Sequence, residues 1–145
     1  MIKIKLLTAF ILLSAVLVAQ NNTIPNDTIY TVDKLEKLPS FPGGEDEMMQ
    51  YIRKNIIYPQ IEKEADVMGT VYVGFVIDLD GSITDVTVLK GVTDGPGLDA
   101  EAVRIIKQMP KWNPGIQYGH TVKCKFTLPI KYSISNGKKG KKKKG

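Results

Sequence analysis

The sequence has very few of the residues that most enzymes and metal sites require. It contains one cysteine, Cys124, and one histidine, His120, among 145 residues. A single cysteine excludes a disulfide within the chain and any zinc site that needs two or more thiolates. A single histidine excludes a paired-histidine metal site, and a Ser-His-Asp triad would depend on that one residue. We therefore predict a protein that is not an enzyme and uses no metal or cofactor.

Basic charge is also scarce in the body of the chain, although the net charge is +5. Lys3, Lys5 and six lysines among the last eight residues account for the excess, and without these eight lysines the chain has 12 basic and 15 acidic residues. A nucleic-acid-binding face would need lysine and arginine clustered on the folded part. We predict no nucleic-acid partner.

The first 19 residues have the pattern of an export signal. Lys3 and Lys5 precede an almost wholly apolar stretch of 14 residues, from Leu6 to Ala19. A membrane-spanning helix needs about 20 apolar residues, and a small residue at the end is typical of signal peptides. We expect cleavage near Ala19 and a mature protein outside the cytoplasm. The alternative is an uncleaved inner-membrane anchor, with the helix counted from Ile2.

The rest of the chain divides into a linker, a patterned domain and a tail. Residues 20–40 are polar and turn-prone, which indicates a flexible linker with one short strand at Thr28 to Val32. Residues 41–133 form the domain. Residues 134–145 are rich in lysine and glycine, and we expect them to be disordered because like charges repel. This tail either contacts anionic lipid or lipopolysaccharide or is simply a solvated end.

Periodicity predicts two helices and three strands in the domain. The apolar stripe of the second helix consists of Leu98, Ala102, Ile105, Ile106 and Met109. Val71, Val73, Phe75 and Ile77 alternate onto one face of the first strand. We assign Met48, Met49 and Trp112 to core packing. The predicted elements are a helix from Glu45 to Tyr58, a hairpin of Gly69–Asp78 and Ile83–Leu89 joined at Asp80-Gly81, a helix from Asp99 to Met109, and a strand from Thr121 to Tyr132.

The last strand has two interpretations that the pattern leaves open. Its even-numbered residues are apolar or cysteine, whereas Lys123, Lys125 and Lys131 occupy odd positions. Pro129 cannot donate to a ladder, so the strand lies at an edge or contains a bulge. Lysines and proline are typical of a protected edge, which the pattern alone favours. The functional interpretation is a docking edge for an extended peptide, held by main-chain hydrogen bonds.

His120 and Cys124 also fall in this region. Cys124 lies on the apolar side of the strand, where a thiol is usually buried and inert. His120 lies at the junction between a loop and the strand, and we expect it to be exposed. An enzyme that uses either residue is the least favoured of the functional hypotheses.

An ordered set of residues resembles the TonB C-terminal domain, from about Phe41 to Tyr132. The resemblance implies an α+β fold, with a three-stranded antiparallel sheet and two helices packed on one face. The residues that match are Tyr58-Pro59, Gly69 to Asp78, Asp80-Gly81, Leu98-Asp99, Ala102, Met109-Pro110-Lys111-Trp112-Asn113-Pro114-Gly115 and Val122 to Tyr132.

The resemblance also implies a function in the periplasm. Members of this family bind the TonB box of outer-membrane receptors by adding it beside the last strand, and they couple inner-membrane energy to the import of siderophores, cobalamin or glycans. The implied partners are a TonB-dependent outer-membrane receptor and the inner-membrane proton-driven motor complex. The implied edge-strand residues are Thr121, Val122, Lys123, Cys124, Lys125, Phe126, Thr127, Leu128 and Ile130, and the implied second receptor contact is Tyr58, Pro59 and Gln60.

The amino-terminal part departs from the family pattern in two ways. The linker has 21 residues and reaches about 70 Å when fully extended, whereas energy transducers of this family have a long proline-rich spacer. The apolar stretch also lacks the histidine of the family anchor. The alternative function is therefore a periplasmic module that binds peptides or envelope components without energy transduction. An exposed edge would also permit a homodimer, which its lysines oppose.

Overall fold

The computed structural model describes residues 25–134. These residues form three α-helices, one 3-10 turn and five strands. The predicted signal peptide, the first residues of the predicted linker and the lysine-rich tail from residue 135 onward lie outside the described residues. The elements are β1 (Ile29–Thr31), the 3-10 turn (Val32–Lys34), α1 (Glu45–Asn55), α2 (Gln60–Glu64), β2 (Gly69–Ile77), β3 (Ile83–Lys90), α3 (Pro96–Lys107), β4 (Gly115–Gln117) and β5 (His120–Tyr132).

The two long apolar patterns pair with each other to form the centre of the sheet. β2 and β5 run antiparallel, from the pair of Gly69 with Tyr132 to the pair of Ile77 with Cys124. β3 pairs with the other edge of β2 through the predicted hairpin, which gives the strand order β1-β5-β2-β3. β4 pairs with the beginning of β5.

The α+β class and the placement of both predicted helices on one face are confirmed. Met48 and Ile52 of α1 pack in one core with α3 and with the alternating residues of β2 and β5. The sheet, however, is not a three-stranded antiparallel one. It also contains β4 and the parallel strand β1, each three residues long. β4 contains too few residues to show a period, whereas a short strand was expected at β1 but not its place in this sheet.

The predicted linker contributes to the sheet from Ile29 onward. The short strand expected at Thr28 to Val32 is present as β1, and it pairs with β5. Farther along, Lys37 pairs with Ile116 in both directions, with N–O distances of 3.1 and 3.0 Å. This part of the linker is therefore fixed to the domain.

Most residues predicted for the core are buried. The four alternating residues of β2 and the five residues of the predicted helical stripe are each at most 9% exposed, although the last of the five, Met109, lies beyond the end of α3 at Lys107. Trp112 is 4% exposed and packs edge-to-face against Phe41 and Phe75. Met48 is buried, but the prediction was wrong for Met49, which is 42% exposed. Adjacent helical residues point about 100° apart, so only one of the two methionines faces the sheet.

A buried carboxylate ends α1 earlier than predicted. Glu101 on α3 accepts hydrogen bonds from the N–H of Ile57 (2.7 Å) and from Arg104 (2.5 and 2.7 Å), and Arg104 also donates to the carbonyl of Asn55. These bonds hold the chain in an extended conformation after Asn55, before the short helix α2 that the sequence did not predict. Glu62 of α2 accepts from the N–H of Gly97, so α2 in turn caps the beginning of α3.

The hairpin turn between β2 and β3 is fixed to the backbone of Trp112. Gly81 has φ +85, and its carbonyl accepts a hydrogen bond from the N–H of Trp112 at 2.8 Å. Asp80 accepts from the backbone and hydroxyl of Ser82 and from Lys111, and these hydrogen bonds hold the pKa of Asp80 well below its ordinary value.

Within residues 25–134, no helix is long and apolar enough to span a membrane.

Replacing Gly81 with alanine should lower the free energy of unfolding by about 2–3 kcal/mol. The left-handed backbone disfavours a side chain, and the added Cβ would overlap the carbonyl oxygen of Trp112. Gly119→Ala is the matched control, because Gly119 also has positive φ but has no atom within 4 Å of the added Cβ. Urea unfolding should show a loss of about 1 kcal/mol for the control. Equal losses of stability in the two variants would contradict the predicted overlap between the added Cβ and the carbonyl oxygen of Trp112.

Replacing Glu101 with alanine should lower the free energy of unfolding by about 1–3 kcal/mol at pH 7, because the N–H of Ile57 loses its acceptor. The control is Glu64→Ala, since Glu64 is exposed and accepts from the exposed side chain of Gln60. Chemical unfolding of both variants measures the difference. If Glu101→Ala loses no more stability than Glu64→Ala, the hydrogen bonds of Glu101 do not stabilise the fold as described.

The effect of Glu101 should also depend on pH. Burial alone would raise the pKa of Glu101, but hydrogen bonds from Arg104 and Ile57 outweigh it and hold the pKa below its ordinary value of 4.5. A lowered pKa stabilises the fold above the unfolded-state value, and this stabilisation is lost as the pH falls through the folded-state value. The difference in the free energy of unfolding between the wild-type protein and Glu101→Ala should therefore shrink below pH 4.5.

The single thiol should react slowly in the folded protein. Cys124 is fully buried on the core face of β5, and burial raises the pKa of its thiol above the ordinary value. We expect a disulfide reagent at pH 8 to label Cys124 at least ~100-fold more slowly in the native protein than in urea. Rapid labelling of the native protein would show an accessible thiol and would revive the enzyme hypothesis.

Candidate strand-docking edge

One edge of β5 pairs with β2 along most of its length, and the opposite edge is paired over a much shorter stretch. β2 occupies the first edge from Cys124 to Tyr132. On the opposite edge, β1 runs parallel to β5 and pairs Ile29, Tyr30 and Thr31 with Lys123, Cys124 and Lys125. Among residues 25–134, no strand pairs with this second edge from Phe126 to Tyr132. We call this stretch the open edge.

The two faces of β5 are those that the alternation predicts. Val122, Cys124, Leu128 and Ile130 are buried on the helix-covered face, and Phe126 is half-buried there. On the other face, Thr121, Lys125 and Thr127 are exposed and Lys123 is half-buried. Since side chains of a strand project from its faces, the open edge presents main-chain N–H and C=O groups. Pro129 has no backbone N–H, so it cannot donate a hydrogen bond at either edge of β5.

The edge-strand residues expected from the sequence are therefore not equally available. Thr121 and Val122 pair with β4, through Ile116 and Gly115. Lys123, Cys124 and Lys125 pair with β1. Phe126, Thr127, Leu128 and Ile130 lie on the open edge. Which residues of β5 are already paired depends on β1 and β4, two short strands elsewhere in the sequence. The pattern within β5 therefore does not predict it.

A groove lies beside the open edge. It separates residues 38–41 from residues 126–129 and has a volume of about 360 Å³. The groove exists because Lys37 and Ser40 pair with Ile116 and Asn113 instead of with β5. Its apolar lining includes Leu38, Phe41, Met48, Trp112, Phe126 and Leu128. Leu38 is 57% exposed, and its position in the predicted linker gave no sign that it lies beside β5.

The second predicted contact lies next to the end of β5. Tyr58 packs its ring edge-to-face against Tyr132, with centroids 5.6 Å apart, and its hydroxyl donates to the carbonyl of Val67. Burial raises the pKa of the Tyr58 hydroxyl. Pro59 is the amino-terminal cap of α2, and Gln60 is exposed and donates to Glu64 at 2.6 Å. Tyr58 thus supports the fold directly, whereas the side chain of Gln60 faces solvent.

The chemical groups of this region are suited to binding an extended chain. The open edge supplies main-chain hydrogen-bonding groups, and the groove supplies apolar surface. His120 is exposed at the first residue of β5 and pairs with Gln117 of β4. In the part of the chain that the structure describes, no three His, Cys, Asp or Glu side chains cluster closely enough to hold a metal ion.

Comparison with known proteins identifies one family. The family described as the C-terminal domain of Gram-negative bacterial TonB proteins matches residues 54–134, more than half of the chain. None of the curated proteins compared with the chain matches it.

Solved structures of TonB C-terminal domains also match. The Helicobacter pylori domain, in a solution structure of residues 194–285, is 28% identical over 62% of this chain and 92% of its own, with a TM-score of 0.46. A longer form of the same domain, residues 179–285, is 31% identical over 64% of this chain and 86% of its own, with a TM-score of 0.42. The Pseudomonas aeruginosa domain is 25% identical over 55% and 78%, with a TM-score of 0.45. The chain belongs to the family of Gram-negative bacterial TonB C-terminal domains.

Proposed function

We propose that this domain acts in the periplasm and binds the TonB box of an outer-membrane receptor by strand addition to β5. The bound segment passes energy from the inner membrane to the receptor, which imports a nutrient such as a siderophore, cobalamin or a glycan. The family membership supports the partner class, and the open edge from Phe126 to Tyr132 supports the mode of binding. That edge is the observation on which the proposal depends.

An unpaired strand edge beside an apolar groove suits an extended peptide. Main-chain groups of an added strand pair with those of β5, which provides affinity with little dependence on sequence. Alternate side chains of that strand point to opposite faces. Those on the helix-covered face would enter the groove between Leu38 and Leu128 and contact its apolar lining. We therefore expect a preference for peptides with apolar residues at alternate positions.

The same geometry accounts for mechanical coupling without catalytic groups. A strand held by several ladder hydrogen bonds resists pulling along its length, so force applied to the domain reaches the receptor through the added strand. A periplasmic module that binds peptides without transduction would use the same edge. The two functions differ in what lies amino-terminal to Ile29 and not in the binding site.

Replacing Leu38 with aspartate should weaken binding of a TonB-box peptide by about tenfold, because loss of apolar contact is worth about 1–2 kcal/mol. The peptide should come from a receptor of the organism that encodes this chain, and isothermal titration calorimetry measures its Kd. Val88→Asp is the control, since Val88 is also exposed (37%) but lies on β3 at the opposite edge of the sheet.

Backbone methylation of the peptide tests the ladder itself. A peptide methylated at alternate amide nitrogens loses donors along one edge, so one of the two alternating methylation patterns should abolish binding and the other should retain it. Retained binding with both patterns would contradict strand addition. Equal weakening by Leu38→Asp and Val88→Asp would place the peptide outside the groove.

A further inference from the structure

The docking edge of β5 is already partly occupied by the chain itself. β1 pairs with Lys123 to Lys125 on the same edge that stays open from Phe126 onward, because β2 occupies the other edge at Cys124 and Lys125. We propose that β1 is an internal competitor, which must leave β5 before a receptor strand can pair along the whole edge. This inference rests on the proposed function, since it concerns regulation of the same site.

Few interactions hold β1 in place. It is three residues long, and Ile29 and Thr31 are both exposed. Tyr30 is the one residue of β1 that packs against the core, and it is half-buried. An ion pair of 3.9 Å joins Lys123 to Asp27, whose side chain is fully exposed. Ion pairs of this kind contribute little to stability.

The chain is anchored independently just after β1. Lys37 exchanges two backbone hydrogen bonds with Ile116, and the N–H of Glu36 donates to the side chain of Gln117 at 2.9 Å. The 3-10 turn Val32–Lys34 lies between this anchor and β1. β1 can therefore detach as a local unit while residues from Glu36 onward keep their contacts. Segments with few buried contacts are those that open locally at low cost.

Displacement of β1 would lengthen the ladder available to a partner. With β1 in place, an incoming strand meets the open edge only from Phe126. With β1 detached, it also gains Lys123, Cys124 and Lys125, which are part of the edge expected from the sequence. Binding strength then depends on the fraction of molecules in which β1 is open, because the apparent Kd rises as that fraction falls.

A reversible disulfide tests whether detachment is required. Thr31 and Lys125 are paired and exposed, so Thr31→Cys with Lys125→Cys should form a disulfide across the ladder. A Cys124→Ala background, shared by all proteins compared, removes the competing thiol. Calorimetry with the same TonB-box peptide should give a Kd roughly tenfold or more higher for the oxidised protein than for the same protein after reduction. The reduced protein is the control for both substitutions.

A second variant tests the opposite direction. Replacing Ile29 and Thr31 with glycine weakens β1 without changing a buried side chain, and it should lower the Kd roughly threefold. Hydrogen exchange followed by mass spectrometry gives an independent measure. Adding the peptide to the unmodified domain should speed exchange in residues 29–31 and slow it in residues 126–130.

The outcomes separate this inference from the proposed function. Equal Kd values for the oxidised and reduced proteins, with the peptide bound, would overturn the inference and leave strand addition intact. If the reduced protein binds as weakly as the oxidised protein, and more weakly than the Cys124→Ala protein, the loss of affinity comes from the substituted side chains. That result would also overturn the inference. Failure of the peptide to bind even the unmodified domain would overturn the proposed function, and the inference with it.

Discussion

The antiparallel ladder between β2 and β5 is the interaction on which the rest of the structure depends. Nine residue pairs, from Gly69 with Tyr132 to Ile77 with Cys124, turn one face of both strands toward α1 and α3. The ladder thereby creates the core. It also determines where the candidate docking edge lies, since a strand has two edges and β2 uses one of them along most of β5.

The features that the sequence predicted are those that depend on local periodicity. Apolar residues recur at alternate positions from Val71 to Ile77 in β2 and from Val122 to Tyr132 in β5, often enough to assign the core face of each strand. The apolar stripe of α3, which includes Leu98, Ala102 and Ile105, assigns its core face for the same reason. Asp80-Gly81 predicted the turn between β2 and β3, because a glycine there accepts a positive φ. These elements define the fold class.

The features that the sequence did not predict depend on distant partners. α1 ends at Asn55 because the N–H of Ile57 bonds to Glu101, 44 residues away. β4 is a strand because β5 pairs with it, and its three residues show no period of their own. A short strand was expected at β1, but its pairing with β5 was not. For the candidate site, alternation assigned the faces of β5 but not the availability of its edges. The groove likewise depends on Leu38, in a segment that looked like linker.

The position of β5 in the chain has a consequence for how the domain folds. It is the last regular element of the described chain, yet it pairs with β1, so that Ile29 and Lys123 meet across 94 positions of sequence. Pairing of such distant segments is slow, because the entropy of closing the loop is lost before the contacts form. During synthesis, β2 and β3 can form their hairpin early, but one side of the core stays uncovered until Tyr132 has emerged. The open edge of β5 therefore forms only after Tyr132 has emerged, and fragments released earlier in synthesis lack the candidate docking edge.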